Sequence, residues 1–463
     1  MREPGAILLV SCYELGHQPL ALASASAFLA RAGFAPATLD LSVEPMDVSR
    51  VARARMIAIS VPMHTALRLG MRAAAEMRAL NGDAHIAYVG LYAGLNAGWL
   101  LERGADSAIG SEWEGPLVAL TEALDAGDAA PVVGVSVPGR ITGPHLARLE
   151  FPVPARDGLP ALERYARLAH DGALALTGYV EASRGCRHTC RHCPIPPAYD
   201  GRFFAVPREV VAKDVAQQVA AGAAHITFGD PDFLNAPTHA LRVARDLHAA
   251  HPSLTFDFTA KIEHVIEHAA LFPELARLGA LFMVSAVESL SDTVLAHLAK
   301  GHTRADVFQA LAIARAAGIV LRPSLVAFTP WTTLDDYLDV LDTAEREDLI
   351  DAIDPVQYTI RLLLPPGSLL LEHDAMRPHL TGFDVAAFGH RWAHPDPRMD
   401  ALHLEVTALV AGATRAGEDP AVTFARIRDR ARQIAGRSVA AARDATPAPR
   451  PFRAPRLTEP WFC

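Results

Sequence analysis

Short apolar runs alternating with helical patterns mark the first quarter of the chain. Runs at 6–10, 37–41, 56–61, 85–89 and 107–109 predict strands. Between the third and fourth, Leu67, Met71, Met77 and Leu80 share a helical face, with Thr65 placed to cap that helix and Gly82 to end it. Alternation at this spacing predicts an α/β, doubly wound, Rossmann-like domain over residues 1–126. Proline and glycine then crowd residues 127–167, which predicts an irregular linker with one strand near 132–137.

The alternation resumes at 168, with strands expected at 177–182, 225–228, 255–260, 281–287, 319–326 and 355–363. Pro207 suits a first helical position, Val211, Val215 and Val219 share a face, and Gly222 closes that helix. Thr303 with Asp306 reads as a capping box, and Gly318 as a left-handed cap. Six strand–helix units over 168–370 predict a partial (β/α)6 TIM-type barrel with its chemistry at the carboxyl ends of the strands. Residues 371–445 read as a helical extension, chiefly 401–416 and 419–442. Residues 446–463 read as a mobile Pro/Arg-rich tail.

Composition narrows the classes. An apolar share of 51% with 21% charged residues excludes wholesale disorder in the 463-residue chain. A net charge of −9 argues against a general nucleic-acid or anionic-membrane binder. No apolar run approaches the ~18 residues of a membrane span, so a cytoplasmic protein is expected. The five cysteines are an odd number with three of them clustered, which suits a metal site in a reducing compartment better than a disulfide framework.

That cluster is Cys186-Arg187-His188-Thr189-Cys190-Arg191-His192-Cys193, directly after the first expected barrel strand. Three thiols on one loop can wrap an iron–sulfur cluster, each thiolate taking one iron. Three ligands on a four-iron cube leave one iron open, as catalytic metals keep an open position. A structural zinc with His188 or His192 as fourth ligand is the other reading, although no second cysteine pair exists to complete the usual zinc pattern.

CxxxCxxC after the first strand of a six-unit barrel resembles the radical S-adenosylmethionine (SAM) superfamily, over most of residues 175–365. The resemblance implies that Cys186, Cys190 and Cys193 hold a [4Fe–4S] cluster. Its open iron would chelate the methionine amino and carboxylate groups of SAM, and reductive cleavage would release a 5′-deoxyadenosyl radical. By the same resemblance His192 lies near adenine, Gly229 and Asp230 hold the methionine ammonium, Ser285 and Glu288 mark the ribose-binding element, and Arg322 meets the methionine carboxylate. Plainer readings stand beside these: Asp230 as a turn residue, Glu288 paired with an arginine, Arg322 in a salt bridge. Gln357, Tyr358 and Arg361 are candidates for the substrate side.

The doubly wound domain ahead of the barrel resembles the cobalamin-binding domain of cobalamin-dependent radical SAM enzymes, through Ile59-Ser60-Val61, Val89-Gly90 and Gly110-Ser111-Glu112. The Asp-x-His-x-x-Gly element that supplies an axial histidine is absent, and Gly90-Leu91 stands where a double glycine makes room for the nucleotide tail. The resemblance implies either cobalamin bound without a protein histidine or a scaffold without the cofactor; His17 and His64 read as ordinary capped or solvated residues. The ending Trp461-Phe462-Cys463 and the layout also resemble the CUAEP/CCAEP-tail radical SAM (seleno)proteins, an inert terminal thiol being the alternative. The activity implied is reductive SAM cleavage serving methyl transfer through cobalamin, or another radical modification, of a small-molecule or peptide substrate. Electrons would come from a donor such as flavodoxin or ferredoxin. The competing class is a non-catalytic iron–sulfur or zinc protein acting as a sensor or scaffold.

Overall fold

The computed structural model describes residues 1–437 and 453–459. Cys463 and the end of the helix expected to reach 442 lie outside the described residues. In the N-terminal domain β1 (Ile7–Ser11), β2 (Ala37–Asp40), β3 (Met56–Ser60), β4 (His85–Val89) and β5 (Ser107–Ile109) form a parallel sheet in the order β2-β1-β3-β4-β5. β6 (Val135–Ser136) extends it antiparallel. Every residue of β1 and β3 is buried because helices cover both faces. Leu8, Val10, Ile57 and Ile59 pack on one side; Ile7, Leu9, Met56 and Ala58 pack on the other. Strand order reverses between β1 and β3, and at such a point the carboxyl edge opens into a crevice.

The helix after β3 runs His64–Leu80 with no side-chain cap, so Thr65 sits inside its first turn and Asn81, not Gly82, ends it. The helix thus starts two residues before a Thr65 cap would place it, and its first residue, His64, has Nε2 3.0 Å from the Phe388 carbonyl oxygen. The irregular linker is fastened rather than loose. Arg156, 8% exposed, donates to both carboxylate oxygens of Asp214 (2.6 and 2.8 Å), to Gln18 Oε1 (2.8 Å) and to the Tyr179 carbonyl (2.8 Å), joining the linker to both domains.

The second sheet begins with a hairpin of β7 (Arg167–His170) and β8 (Ala173–Val180). Its turn residues Asp171 and Gly172 both have positive φ, 49° and 77°, as a two-residue hairpin turn requires. A clasp of β9 (Ser183–Gly185) and β10 (Phe203–Ala205) follows. Then β11 (His225–Phe228), β12 (Thr255–Ala260), β13 (Ala280–Glu288) and β14 (Val320–Leu325) add to β8 in parallel. Val180, Ile226, Phe228, Phe256 and Phe258 pack in the barrel core. The alternate positions Tyr179, Thr227 and Asp257 carry polar groups on the other face.

The expected sixth strand does not form. Residues Pro355–Thr359 make a 3₁₀ turn, and only Arg361 bridges to Phe328. The Gln357 side chain, in place of a strand backbone, accepts from the Leu325 amide at 2.9 Å, so the sheet remains a curled half-barrel.

Beyond the barrel come a hairpin of β15 (Leu380–Asp384) and β16 (Gly389–Trp392) and the helices Pro397–Ala416 and Pro420–Ile434. Part of the tail expected to be mobile is docked: β17 (Arg456–Leu457) pairs antiparallel with β7, and Glu459 accepts from Tyr13 Oη at 3.2 Å. No helix is long and apolar enough to cross a membrane among the described residues.

Candidate functional site: a cysteine loop beside an interdomain cavity

The β9–β10 clasp closes the base of the loop carrying Cys186, Cys190 and Cys193. Gly185 has φ +77°, and a Cβ there would collide with the Arg202 carbonyl oxygen, so the approach requires glycine. Asp230, at the end of β11, accepts from the Ala182 amide (2.8 Å) and Ser183 Oγ (2.5 Å), which fixes where the loop leaves β8. Asn235 Oδ1 accepts from the Arg187 amide at 3.3 Å, and Arg191 N–H donates to the Leu298 carbonyl at 3.0 Å. The loop is therefore held from several sides by neighbouring turns.

The three cysteines are free thiols. Burial pushes Cys193 up to about 12, with Cys190 and Cys186 adding to the effect; burial also raises Cys186, followed by the nearby Asp232 and Cys190. Cys186 and Cys193 therefore keep their protons at neutral pH until a metal displaces them. A mononuclear zinc with bonds of about 2.3 Å would hold its sulfurs about 3.8 Å apart. Among the described residues, every trio of His, Cys, Asp and Glu whose donor atoms lie within 4.8 Å of one another lacks cysteine. The thiols are close enough to influence one another, although the three sulfurs do not all lie within 4.8 Å of one another. Three thiolates on one loop can each meet their own iron of a cube.

Glu288 is brought to this loop. It ends β13 at a register shift and takes φ +63°, a left-handed strain that aims its carboxylate at His192 Nε2 and Lys300 Nζ, both 3.2 Å away. Burial would push its carboxyl up, but Lys300 and His192 hold it at about 2. Its partners are a lysine and a histidine, not an arginine.

Other expected residues are placed differently. Asp230 has its carboxylate committed to the loop backbone and Ser183, and burial pushes it up to about 7. Gly229 borders the cavity because Tyr179 Oη occupies the space a Cβ would need. Ser285 Oγ donates to the Ala260 carbonyl at 2.8 Å. Arg322 is not brought to the cysteine loop: it donates to Asp354 Oδ2 at 2.7 Å and to the Pro455 carbonyl at 3.1 Å, the salt-bridge reading. Tyr358 is buried against Phe424, and Arg361 pairs with Asp400 at 2.7 Å over the Trp392 ring, so neither they nor Gln357 line the cavity.

A cavity of about 370 Å³ lies between the two sheets. Ser60, Gly90 and Ser111 reach it from the N-terminal domain, and Tyr179, Glu181 and Gly229 from the barrel. Arg184, just ahead of the cysteines, bridges the domains through Glu114 (2.7 Å) and Glu181 (2.8 Å), and Tyr199 Oη donates to Glu112 at 2.9 Å. Glu14 lines the same cavity with Oε1 shielded and unpartnered; burial, with Asp40 and Glu181 nearby, pushes its carboxyl up to about 8. Among the described residues no imidazole lines the cavity: His17 stacks on Tyr179 at 4.5 Å, and His64 Nε2 lies 3.0 Å from the Phe388 carbonyl oxygen. The sequence reading passed over Glu14, Asp232, Asn235 and His264. Asp232 lies two residues after Asp230, the position that the family resemblance matched.

Comparison with known proteins agrees with this geometry. Residues 180–348 match the family model described as the Radical SAM superfamily. A tRNA-2-methylthio-N(6)-dimethylallyladenosine synthase of Desulfosudis oleivorans is 26% identical over 200 residues, covering 41% of this chain; the match spans 42% of that protein's length. Among solved structures, the cobalamin-dependent SAM radical enzyme OxsB, with aqua-cobalamin and SAM bound, superposes with a TM-score of 0.70 at 17% identity, over 88% of this chain and 67% of that one. The radical SAM methyltransferase TsrM from Kitasatospora setae, with tryptophan and a SAM analogue bound, gives 0.65 at 18% identity, over 84% and 85%. At these identities the structural likeness establishes the two-domain fold. Over residues 180–348 the chain is therefore similar to the Radical SAM superfamily, whose cofactors are a [4Fe–4S] cluster and SAM.

Proposed function

We propose that the chain is a radical SAM enzyme that modifies its substrate in the interdomain cavity, with cobalamin at the carboxyl edge of the N-terminal sheet as methyl carrier. The observation that carries this reading is the placement of Cys186, Cys190 and Cys193 on one clasped loop, with Gly185 and Arg184 of the same segment lining the cavity. A [4Fe–4S] cluster and SAM supply reductive carbon–sulfur cleavage, and a corrin supplies methyl transfer. The cavity lining suits a corrin that takes no histidine from the protein.

The chain's own residues provide the setting. Asp230 and Asn235 fix the loop, and the ionised Glu288 orients His192 through Nε2. Leu91, Met63 and Trp113 wall the cavity from water. Glu14 keeps a proton on its carboxyl at neutral pH and can exchange it with a bound substrate. The substrate in this reading is a small molecule or peptide, and the electron donor a flavodoxin- or ferredoxin-type protein.

The test is anaerobic purification followed by cobalamin titration. A corrin absorbance that stays with the protein through gel filtration supports methyl transfer. Reductive SAM cleavage by a protein that retains no corrin would restrict the function to hydrogen abstraction.

A further inference from the structure

We propose that His188, Asp232 and His264 form a second, mononuclear metal site that takes a divalent first-row transition-metal ion, independent of the cysteine-held cluster. The three residues come from separate elements: the loop between Cys186 and Cys190, the turn after β11, and the helix Ile262–Glu267 that follows β12. Their donor atoms lie within 4.8 Å of one another. His264 Nδ1 is 2.7 Å, and His188 Nε2 3.7 Å, from the same Asp232 Oδ2.

All three atoms are shielded from solvent, and apart from the His264–Asp232 ion pair within the trio none of them has a partner. Asp232 is 2% exposed and His264 5%. Buried polar atoms are rarely left in this state, and three that converge on one point define a ligand's position. Metal–nitrogen and metal–oxygen bonds of about 2.1 Å hold neighbouring donors about 3.0–3.5 Å apart, a span the two observed separations bracket. A simple His264–Asp232 ion pair would leave His188 Nε2 unaccounted for.

The atoms behind the donors are already engaged. Asp232 Oδ1 accepts from the Leu234 amide at 3.0 Å. His188 Nδ1 faces Lys261 Nζ at 3.2 Å and Glu263 Oε2 at 3.7 Å. Lys261 is itself paired with Glu263, so a lysine–carboxylate pair backs the His188 ring on the side away from Nε2. Two imidazoles and one carboxylate with open positions suit zinc or ferrous iron. The half-buried His188, its side chain 20% exposed, leaves an entry path. An ion held there ties the cysteine loop to the second and third strand–helix turns of the barrel.

The experiment uses the full chain with its cluster assembled anaerobically, equilibrated with zinc, and its iron and zinc counted. One zinc per chain is expected beyond the cluster's irons. Asp232→Asn, which keeps the bond to Leu234, and His264→Phe are each expected to weaken zinc binding by more than about 100-fold with the iron content unchanged. The Cys186→Ala/Cys190→Ala/Cys193→Ala chain, checked for folding by circular dichroism, is expected to keep one zinc, which separates this site from the cluster. Absence of bound zinc in the cluster-loaded chain, or zinc retained in either Asp232→Asn or His264→Phe, overturns the proposal.

Discussion

Glu288 shows how one carboxylate serves both stability and site. Lys300, its partner, is 2% exposed, and removing the partner of a buried pair costs about 3–5 kcal/mol. Glu288→Ala is therefore expected to lower the urea midpoint strongly, and to disturb cluster assembly because His192 loses its anchor. The carboxyl falls from an ordinary 4.5 to about 2 in the folded protein, so the pair's stabilisation is present above about pH 4.5 and lost as pH falls toward 2. Urea titrations from pH 2 to 6 check this: the gap between wild type and Glu288→Ala should shrink at the acid end.

Glu14 has the opposite sign. Its folded value of about 8 lies above 4.5, so the native state binds more protons and stability falls as pH rises through that window. Glu14→Gln should stabilise the protein at pH 8 by on the order of 1–3 kcal/mol, and much less at pH 5. Thermal melts at the two pH values measure the difference.

At this scale the sequence exposed some partners and hid others. The cysteine triplet was legible because three thiols in eight positions have few other uses. For Arg322 the carboxylate-binding and salt-bridge readings stood side by side, because a strand position alone does not say that Asp354 and the Pro455 carbonyl wait beside it. The pairing of Glu288 with Lys300 and His192 depends on a bulge that no local pattern marks.

Among elements, the parallel strands were legible from runs of apolar residues buried on both faces; 85–89 and 225–228 match β4 and β11 residue for residue. The β7–β8 hairpin was absorbed into the expected linker and strand, although Asp171-Gly172 is a strong turn pair. The sixth strand failed because Pro355, the buried Tyr358 and the Gln357 side chain replace ladder bonds with side-chain contacts. The β9–β10 clasp yields its own test. Gly185→Ala is expected to cost about 1–3 kcal/mol through its positive φ, on top of the collision with Arg202, and to lower iron per chain without unfolding the N-terminal sheet. Iron counting alongside far-ultraviolet circular dichroism would show this.

Across the molecule, the two domains are locked by buried ions rather than by an apolar seam alone. Arg184 neutralises Glu112 and Glu114, each 0% exposed, across the domain boundary. Arg184→Ala should leave those carboxylates buried without a cation, destabilise by about 3–5 kcal/mol, and split a single unfolding transition into two as the domains uncouple. Scanning calorimetry reads this directly. The docking of residues 453–459 on β7 and beside Gly16 adds a further tie between barrel and N-terminal domain, unforeseen because a Pro/Arg-rich stretch carries no pattern that names its partner strand.

The central claim is that Cys186, Cys190 and Cys193 hold a cluster that cleaves SAM. Its most direct test is to purify the full chain without oxygen, count iron and acid-labile sulfide, reduce it with dithionite, and measure 5′-deoxyadenosine or S-adenosylhomocysteine formed from SAM. About four irons per chain and product that vanishes in Cys186→Ala, Cys190→Ala and Cys193→Ala are expected. A colourless protein holding one zinc on those thiols, or product formation undiminished by the three substitutions, would contradict the account.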